Sequence, residues 1–160
     1  VFGYCVVATI ISMFIASQFY KSLANQFSLW VPYASATKGS STYFFPSSQL
    51  FHLDKVFYAG LGYLFVFILA YVGARFIGIF INLIPYPNTW DTKWHNIVSG
   101  ALAVFITLFA FEMCFTILAT VPMAAIQDRL NASFMIRFII NHTPITSNII
   151  KELWVTQIIG

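Results

Sequence analysis

The sequence predicts an all-α membrane protein, a bundle of three membrane-spanning helices followed by an amphipathic C-terminal helix. Three long apolar blocks, residues 1–20, 56–84 and 97–121, predict the spans. A helix crosses the hydrocarbon core of a bilayer with roughly 20 apolar residues, and each block has about that length. Only 8% of the 160 residues are charged, whereas about a quarter of the residues of a soluble protein are. We expect residues 1–160 to form a single membrane domain.

The first block is closed by Lys21, whose ammonium group can snorkel to the membrane surface. Because the chain opens on Val1 in apolar sequence without a charged flank, we expect its start to be missing. The connection of residues 21–54 is rich in apolar side chains, among them Trp30 and Tyr33. It is therefore expected to lie on the membrane surface or to pack on the helices.

The second and third blocks carry one charged residue each, Arg75 and Glu112. Pro85 and Pro87 end the second block, because proline cannot continue a helix. The short connection that follows predicts an antiparallel hairpin of the two spans. The third block ends near Pro122.

The C-terminal tail, residues 123–155, is predicted to lie on the membrane surface. Its first part is amphipathic, because apolar residues recur there at steps of three or four and polar residues lie between them. The apolar positions are Met123, Ile126, Leu130, Phe134 and Phe138. Thr143–Pro144 breaks this helix, and a last short helix is expected from Asn148 to about Val155.

Each span carries three small residues spaced four positions apart, so that they form a stripe along one face. Helices in lipid associate mainly through such close packing, because the hydrophobic effect between them is weak. These stripes are candidate helix-packing faces; coincidence in a composition rich in small residues is the alternative. The residues are Ala8, Ser12 and Ala16; Ala70, Ala74 and Gly78; Ser99, Ala103 and Thr107.

Arg75 and Glu112 form a candidate polar pair inside the membrane. An ionised carboxylate near the bilayer centre costs at least roughly 2.5 kcal/mol, so Glu112 should face protein or stay protonated. Measured from the hairpin turn, Arg75 lies roughly 15 Å deep and Glu112 roughly 24 Å, a gap that two long side chains nearly close. A structural pair, a neutral acid bonded to a hydroxyl group, and a proton or cation site remain open.

Composition and motifs exclude several classes of function. The eight Lys and Arg residues are scattered singly, whereas nucleic-acid binding needs a clustered basic face. His52, His95 and His142 have no Cys or carboxylate at ligand spacing, so we expect no metal and no cofactor. Cys5 and Cys114 lie in apolar blocks, where a thiol behaves as a small hydrophobic group. No nucleophile–base pair is present, and the protein is not expected to be an enzyme.

Short motifs over nearly the whole chain resemble those of the colicin V production protein (CvpA) family, in the form found in Gram-positive bacteria. No single motif is diagnostic of the family, but the order and spacing of the motifs together are. They are residues 19–21, 29–33, 53–55 and 57–60, Arg75 with Gly78, and residues 100–102, 137–140 and 142–144. Compared with the family, this chain lacks the first span and the Arg-Gly turn after it. It also has His95–Asn96 where the family has an Asn/Asp-Arg pair.

The resemblance implies an integral protein of the bacterial cytoplasmic membrane, with four spans in the family, associated with toxin (colicin) production and envelope maintenance. Relatives that anchor proteases favour a scaffold role. We expect a non-catalytic scaffold that binds the lipid bilayer and either other envelope proteins or further copies of itself, and no nucleic acid. The alternative is a small transporter or channel subunit that uses Glu112 and Arg75.

The orientation in the membrane stays open at this stage. Six of the eight Lys and Arg residues lie in the connection 21–55 or in the tail, which favours a cytoplasmic tail. Only Arg75 and Lys93 lie beside the hairpin turn. The arginine-bearing turn that the family has before the first block argues for the opposite orientation.

Overall fold

The computed structural model describes residues 2–80, 93–143 and 146–150, together with Glu152 and Ile158. Within these residues the regular structure is helical throughout, and no strand is present. A short 3-10 helix, Ser47–His52, precedes the second long helix. The α-helices are α1 Phe2–Trp30, α2 Leu53–Phe80, α3 Lys93–Ala119, α4 Ala124–Ala132, α5 Phe134–His142 and α6 Thr146–Ile150.

Three of these helices, α1, α2 and α3, are long and apolar enough to cross a membrane. The all-α membrane bundle predicted from the apolar blocks is therefore confirmed. The physical cause is that a bilayer offers no partner for backbone N–H and C=O groups, so an apolar segment of this length must pair them within itself as a helix.

α1 and α2 form a closely packed antiparallel pair. Near one end, the Tyr58 hydroxyl donates to the Val31 carbonyl oxygen at 2.6 Å, and in the middle the rings of Tyr20 and Tyr63 meet edge to face at 6.1 Å. At the other end the Tyr4 hydroxyl donates to the carbonyl oxygen of Ala74. The pair is thus held together along its whole length.

α1 continues as a helix to Trp30, past the predicted end of the span at Tyr20. Residues 21–30 contain no helix breaker, and the first proline is Pro32. The extension also packs on α2, where the Phe27 and Phe65 rings lie 5.5 Å apart. Part of the expected surface connection is therefore helix.

The core of the bundle lies where the three long helices meet. Ala16 and Tyr20 of α1 and Val56, Ala59 and Tyr63 of α2 are buried there, joined by Phe109, Met113 and Ile117 of α3. α6 adds Ile150 to this cluster. A second buried cluster, which includes Phe45, Leu53 and Leu130, joins the 31–46 loop to the C-terminal helices.

The amphipathic tail consists of two helices rather than the single helix predicted. The break falls at Ser133, whose extended backbone ends α4 and begins α5, and whose hydroxyl accepts a hydrogen bond from the Ile136 amide. The outer face of α5 is apolar and exposed at Phe134, Met135 and Phe138. α5 ends at His142, as the break at Thr143–Pro144 predicts.

Two predicted features lie outside the described residues. The first is the turn between the second and third spans, with Pro85 and Pro87, together with the end of the second block at residues 81–84. The second is most of the last helix beyond α6. The helix of the third span begins earlier than predicted: α3 starts at Lys93, whereas the apolar block starts at Ile97.

Candidate functional site

Lys55 directly precedes the long apolar part of α2, and Arg75 lies within that part, five positions before Phe80. The two residues are 20 positions apart, which is about 30 Å along the helix axis. Lys21 in α1 lies at the same end as Lys55, because both line one cavity. We call this end of the bundle, with Lys21 and Lys55, the loop end.

Arg75 binds α1 rather than α3. Its Nη1 donates to the Sγ atom of Cys5 at 2.9 Å, near the start of α1. The guanidinium group therefore lies between α1 and α2, towards the end of the bundle opposite the loop end.

Glu112 is completely buried in α3, at a different level from Arg75. The rings of Phe67 and Phe109 lie 6.1 Å apart and align α2 with α3. Along α2, Arg75 lies eight positions from Phe67, towards the end opposite the loop end. Along α3, Glu112 lies three positions from Phe109, towards the loop end. The two residues are therefore roughly 16 Å apart along the bundle axis. Arg75 and Glu112 thus lie at different levels of the bundle, and their pairing stays a prediction.

The first two small-residue stripes lie against other parts of the chain. Ala8, Ser12 and Ala16 of α1 are all buried, and the Ser12 hydroxyl bonds to its own helix at the Ala8 carbonyl oxygen. In α2, Ala70 and Ala74 are half-buried. Gly78 is buried against the ring of Tyr4.

The third stripe, in α3, is less buried than the other two. Ser99 and Ala103 are half-buried and Thr107 is exposed, with its hydroxyl donating to the Ala103 carbonyl oxygen at 2.8 Å. The apolar side chains around the stripe are exposed as well. These are Ile97, Val98, Val104, Phe105 and Leu108. The N-terminal half of α3, residues 97–108, thus projects from the bundle on most of its faces.

Tyr33 joins three parts of the protein at the loop end. Its hydroxyl donates to the Thr120 carbonyl oxygen at 2.6 Å, and its ring contacts those of Phe57 at 5.2 Å and Tyr58 at 6.2 Å. Burial is the main cause that raises the pKa of Tyr33 above its ordinary value, and the nearby Asp54 carboxylate raises it further. The phenol therefore stays protonated and acts as a donor at neutral pH.

Gln127 is a second link at the loop end, and sequence reasoning did not identify it. Its Nε2 donates to the carbonyl oxygens of Ala119 and Val121 at 2.9 Å each. Its Oε1 accepts from the Tyr43 amide at 3.2 Å. The side chain thus pairs backbone groups left open where α3 ends and fixes the 31–46 loop to α4. The only signal in the sequence is that Gln127 is one of the polar residues between the apolar positions of the amphipathic tail.

No metal centre is found among the described residues, since no three His, Cys, Asp or Glu side chains there lie close enough to share an ion. His52 and His142 are exposed. His142 stacks on Phe138 at 5.9 Å between ring centroids. The Cys5 Sγ atom accepts a hydrogen bond from Arg75, and Cys114 is exposed on α3.

Comparison with known proteins assigns the chain to a family. The family model described as colicin V production protein matches residues 4–144. This chain belongs to the colicin V production protein family. The resemblance seen in the short motifs is thereby confirmed, and the matched region includes all three long helices of the bundle.

A relative in Bacillus subtilis (strain 168) is described as the uncharacterized transmembrane protein YshB. It is 29% identical over 148 residues, which cover 91% of this chain and 79% of the relative. Together with the three apolar helices, this makes the chain a multi-pass membrane protein of the colicin V production family. No solved structure matches it.

Proposed function

We propose that this protein is a non-catalytic scaffold of the bacterial cytoplasmic membrane that binds other envelope proteins through α3. The role we assign to it is accessory, in toxin (colicin or bacteriocin) production and envelope maintenance. Membership of the colicin V production family supports the association with toxin production. The three apolar helices support a location in a membrane.

The observation that carries the proposal is the projection of α3 from the bundle. The stripe of α1 is buried within the chain and that of α2 ends at the buried Gly78, whereas the stripe of α3 ends at the exposed Thr107, with exposed apolar side chains around it. Helices in lipid associate where small residues let two backbones come close. A transmembrane helix of a partner protein that packs along Ser99, Ala103 and Thr107 is the occupant that this face fits.

Photocrosslinking from two matched positions tests the proposal. A photoreactive amino acid replaces Val104 beside the stripe, or Ile10 on the outer face of α1; both native side chains are 59% exposed. In living cells we expect the Val104 probe to form discrete protein adducts and the Ile10 probe to label mainly lipid. Mass spectrometry identifies the adducts.

A second variant separates specific packing from random collision in the membrane. Ala103→Leu places a large side chain in the stripe and should remove the Val104 adducts, because the partner backbone can no longer come close. Adducts that persist unchanged in Ala103→Leu, or that form equally from position 10, would overturn the proposal. Adducts between two copies of this chain would make the protein its own partner.

A small transporter or channel subunit is the second candidate function. One observation favours it: Glu112 is completely buried near the membrane midplane, a position where ionisable groups commonly belong to ion pathways. Flux into proteoliposomes tests it with Glu112→Gln and Arg75→Ala. Flux that is unchanged in both variants would remove these two residues from any transport site.

A further inference from the structure

A cavity of about 450 Å³ opens between the last turns of α1 and the first turns of α2. Ligand pockets in proteins commonly fall in the range of roughly 300–1,000 Å³, so the space suits a small organic group. Ala24, Ala59 and Ile158 form its apolar part. Its polar side chains are Lys21, Asn25, Ser28, Asp54, Lys55 and Tyr58.

The cavity lies at the membrane boundary. Lys55 directly precedes the apolar part of α2, and Lys21 follows the apolar residues of the first block. Lipid phosphates lie at this level, just outside the hydrocarbon core. A group that enters the cavity from the side would therefore be a lipid headgroup.

The charges around the cavity add up to one positive charge. Two lysine ammonium groups face one carboxylate, that of Asp54. A bound group with one negative charge would neutralise them, whereas a zwitterionic headgroup would leave the surplus. Lysine ammonium groups are also common ligands of phosphate, as compact charges with three donors each.

The hydrogen bonds within the cavity wall leave oxygen atoms that can only accept. The Ser28 hydroxyl already donates to the Asn25 carbonyl oxygen at 2.8 Å, and the Tyr58 hydroxyl donates to Val31. Each of these oxygens therefore has only acceptor capacity left. The Oδ1 atom of Asp54 is buried and accepts no hydrogen bond from the described residues. A fitting ligand must bring donors of its own.

We propose that this cavity binds the phosphoglycerol headgroup of an anionic phospholipid. The phosphate lies between the ammonium groups of Lys21 and Lys55. The two glycerol hydroxyls donate to Asp54 and to the hydroxyl oxygens of Ser28 or Tyr58. This headgroup has the single negative charge and the hydroxyl donors that the cavity requires. The site is independent of the α3 face assigned to partner proteins.

Native mass spectrometry of the full chain, released from nanodiscs with mixed lipids, tests the proposal. The nanodiscs contain equal amounts of phosphatidylglycerol, phosphatidylethanolamine and phosphatidic acid. We expect phosphatidylglycerol to be retained at least several-fold more than phosphatidylethanolamine. Equal retention of these two lipids would overturn the proposal.

Four variants assign the binding to this cavity. Lys21→Gln and Lys55→Gln should each reduce phosphatidylglycerol retention several-fold, whereas Lys93→Gln at the start of α3 should leave it unchanged. Asp54→Asn should reduce the preference for phosphatidylglycerol over phosphatidic acid, because the latter lacks glycerol hydroxyls. If the three lysine variants reduced phosphatidylglycerol retention equally, the cause would be a general attraction to anionic lipid, and the proposal would be overturned.

Two further measurements keep the outcome clear. Lys21→Arg and Lys55→Arg preserve the charge and should retain the lipid, so that loss in the Gln variants is not a folding effect. Free glycerol 1-phosphate, added to the protein in detergent, has the same phosphate and glycerol groups as the headgroup but no acyl chains. If it binds as tightly as the lipid and competes with it fully, the ligand is a soluble phosphate ester and the lipid assignment fails.

Discussion

Gly62 in α2 lies so close to Tyr20 in α1 that a β-carbon added to it would come within 2.7 Å of the Tyr20 carbonyl oxygen. The same β-carbon would lie 3.2 Å from the Ala24 amide nitrogen. Both of these atoms belong to the backbone of a helix, which cannot move aside as the end of a side chain can. The absence of a side chain at position 62 therefore sets the spacing of the two helices.

We predict that Gly62→Ala destabilises the bundle by about 1–3 kcal/mol, the usual cost of an overpacked contact. Gly73→Ala on the same helix is the matched control, because its β-carbon would meet nothing within 4 Å. Alanine is also the better helix former by roughly 1 kcal/mol. Thermal unfolding in detergent should show a lower midpoint for Gly62→Ala and an equal or higher one for Gly73→Ala. Equal midpoints in both variants would contradict the close contact.

Gln127 is expected to be the most sensitive polar residue at the loop end. Gln127→Ala leaves the Ala119 and Val121 carbonyl oxygens and the Tyr43 amide without this partner. An unsatisfied buried group costs about 1–3 kcal/mol, so we expect a loss of about 2 kcal/mol or more. The 31–46 loop should become sensitive to protease at the same time. Gln26→Ala, at an exposed position of α1, should change neither property.

The stability of the loop end should fall at high pH because of Tyr33. Burial raises its pKa above the ordinary value of 10.0, so above pH 10 the unfolded chain loses this proton while the folded chain keeps it. Stability is then fully present below pH 10 and is lost as the pH rises towards the folded pKa. Tyr33→Phe should unfold at a lower temperature at pH 7, through loss of the Thr120 bond, and should show a weaker decline above pH 10. A decline as steep as that of the unmodified chain would refute this assignment.

The distribution of basic residues predicts a specific orientation in the membrane. Tyr43 contacts Gln127, so that Lys21, Lys38 and Lys55 lie at the same end as Arg129 and Arg137 of the tail. The excess of basic residues predicts that this end faces the cytoplasm.

Cysteine labelling measures the orientation in a Cys5→Ser, Cys114→Ala background. Ser40→Cys should react with a membrane-impermeant maleimide only after the cells are permeabilised. Trp94→Cys, at an exposed position near the start of α3, should react in intact cells. The reverse pattern would place the loop end outside.

Hydropathy was sufficient to predict the three spans, because the need for internal backbone pairing in lipid is the same for every apolar segment of this length. It did not predict the end of α1. A helix that leaves the membrane is governed by contacts such as Phe27 with Phe65, which no local pattern encodes. The division of the tail into two helices at Ser133 was not predicted either. It depends on this one capping residue, and the apolar periodicity continues on both sides of it.

The pairing of Arg75 with Glu112 shows the limit of depth counted along a sequence. Counting residues from a turn assumes that both helices start at the same level and that long side chains close the remaining gap. The structure adds a contact that such counting does not contain: Cys5 of α1 accepts a hydrogen bond from Arg75, a partner that the sequence did not indicate. Gln127 was missed for a related reason, since its partners are backbone groups.

The described apolar part of α2 runs from Val56 to Phe80, about 36 Å along the helix axis, and is longer than a typical hydrocarbon core of about 30 Å. Such a helix must tilt or thicken the bilayer around it, at a cost of fractions of a kcal/mol per ångström of mismatch. Because α1 is bonded to α2 at both ends, the two helices must tilt together. Acyl-chain length alone would then change the angle at which α3 projects from the pair.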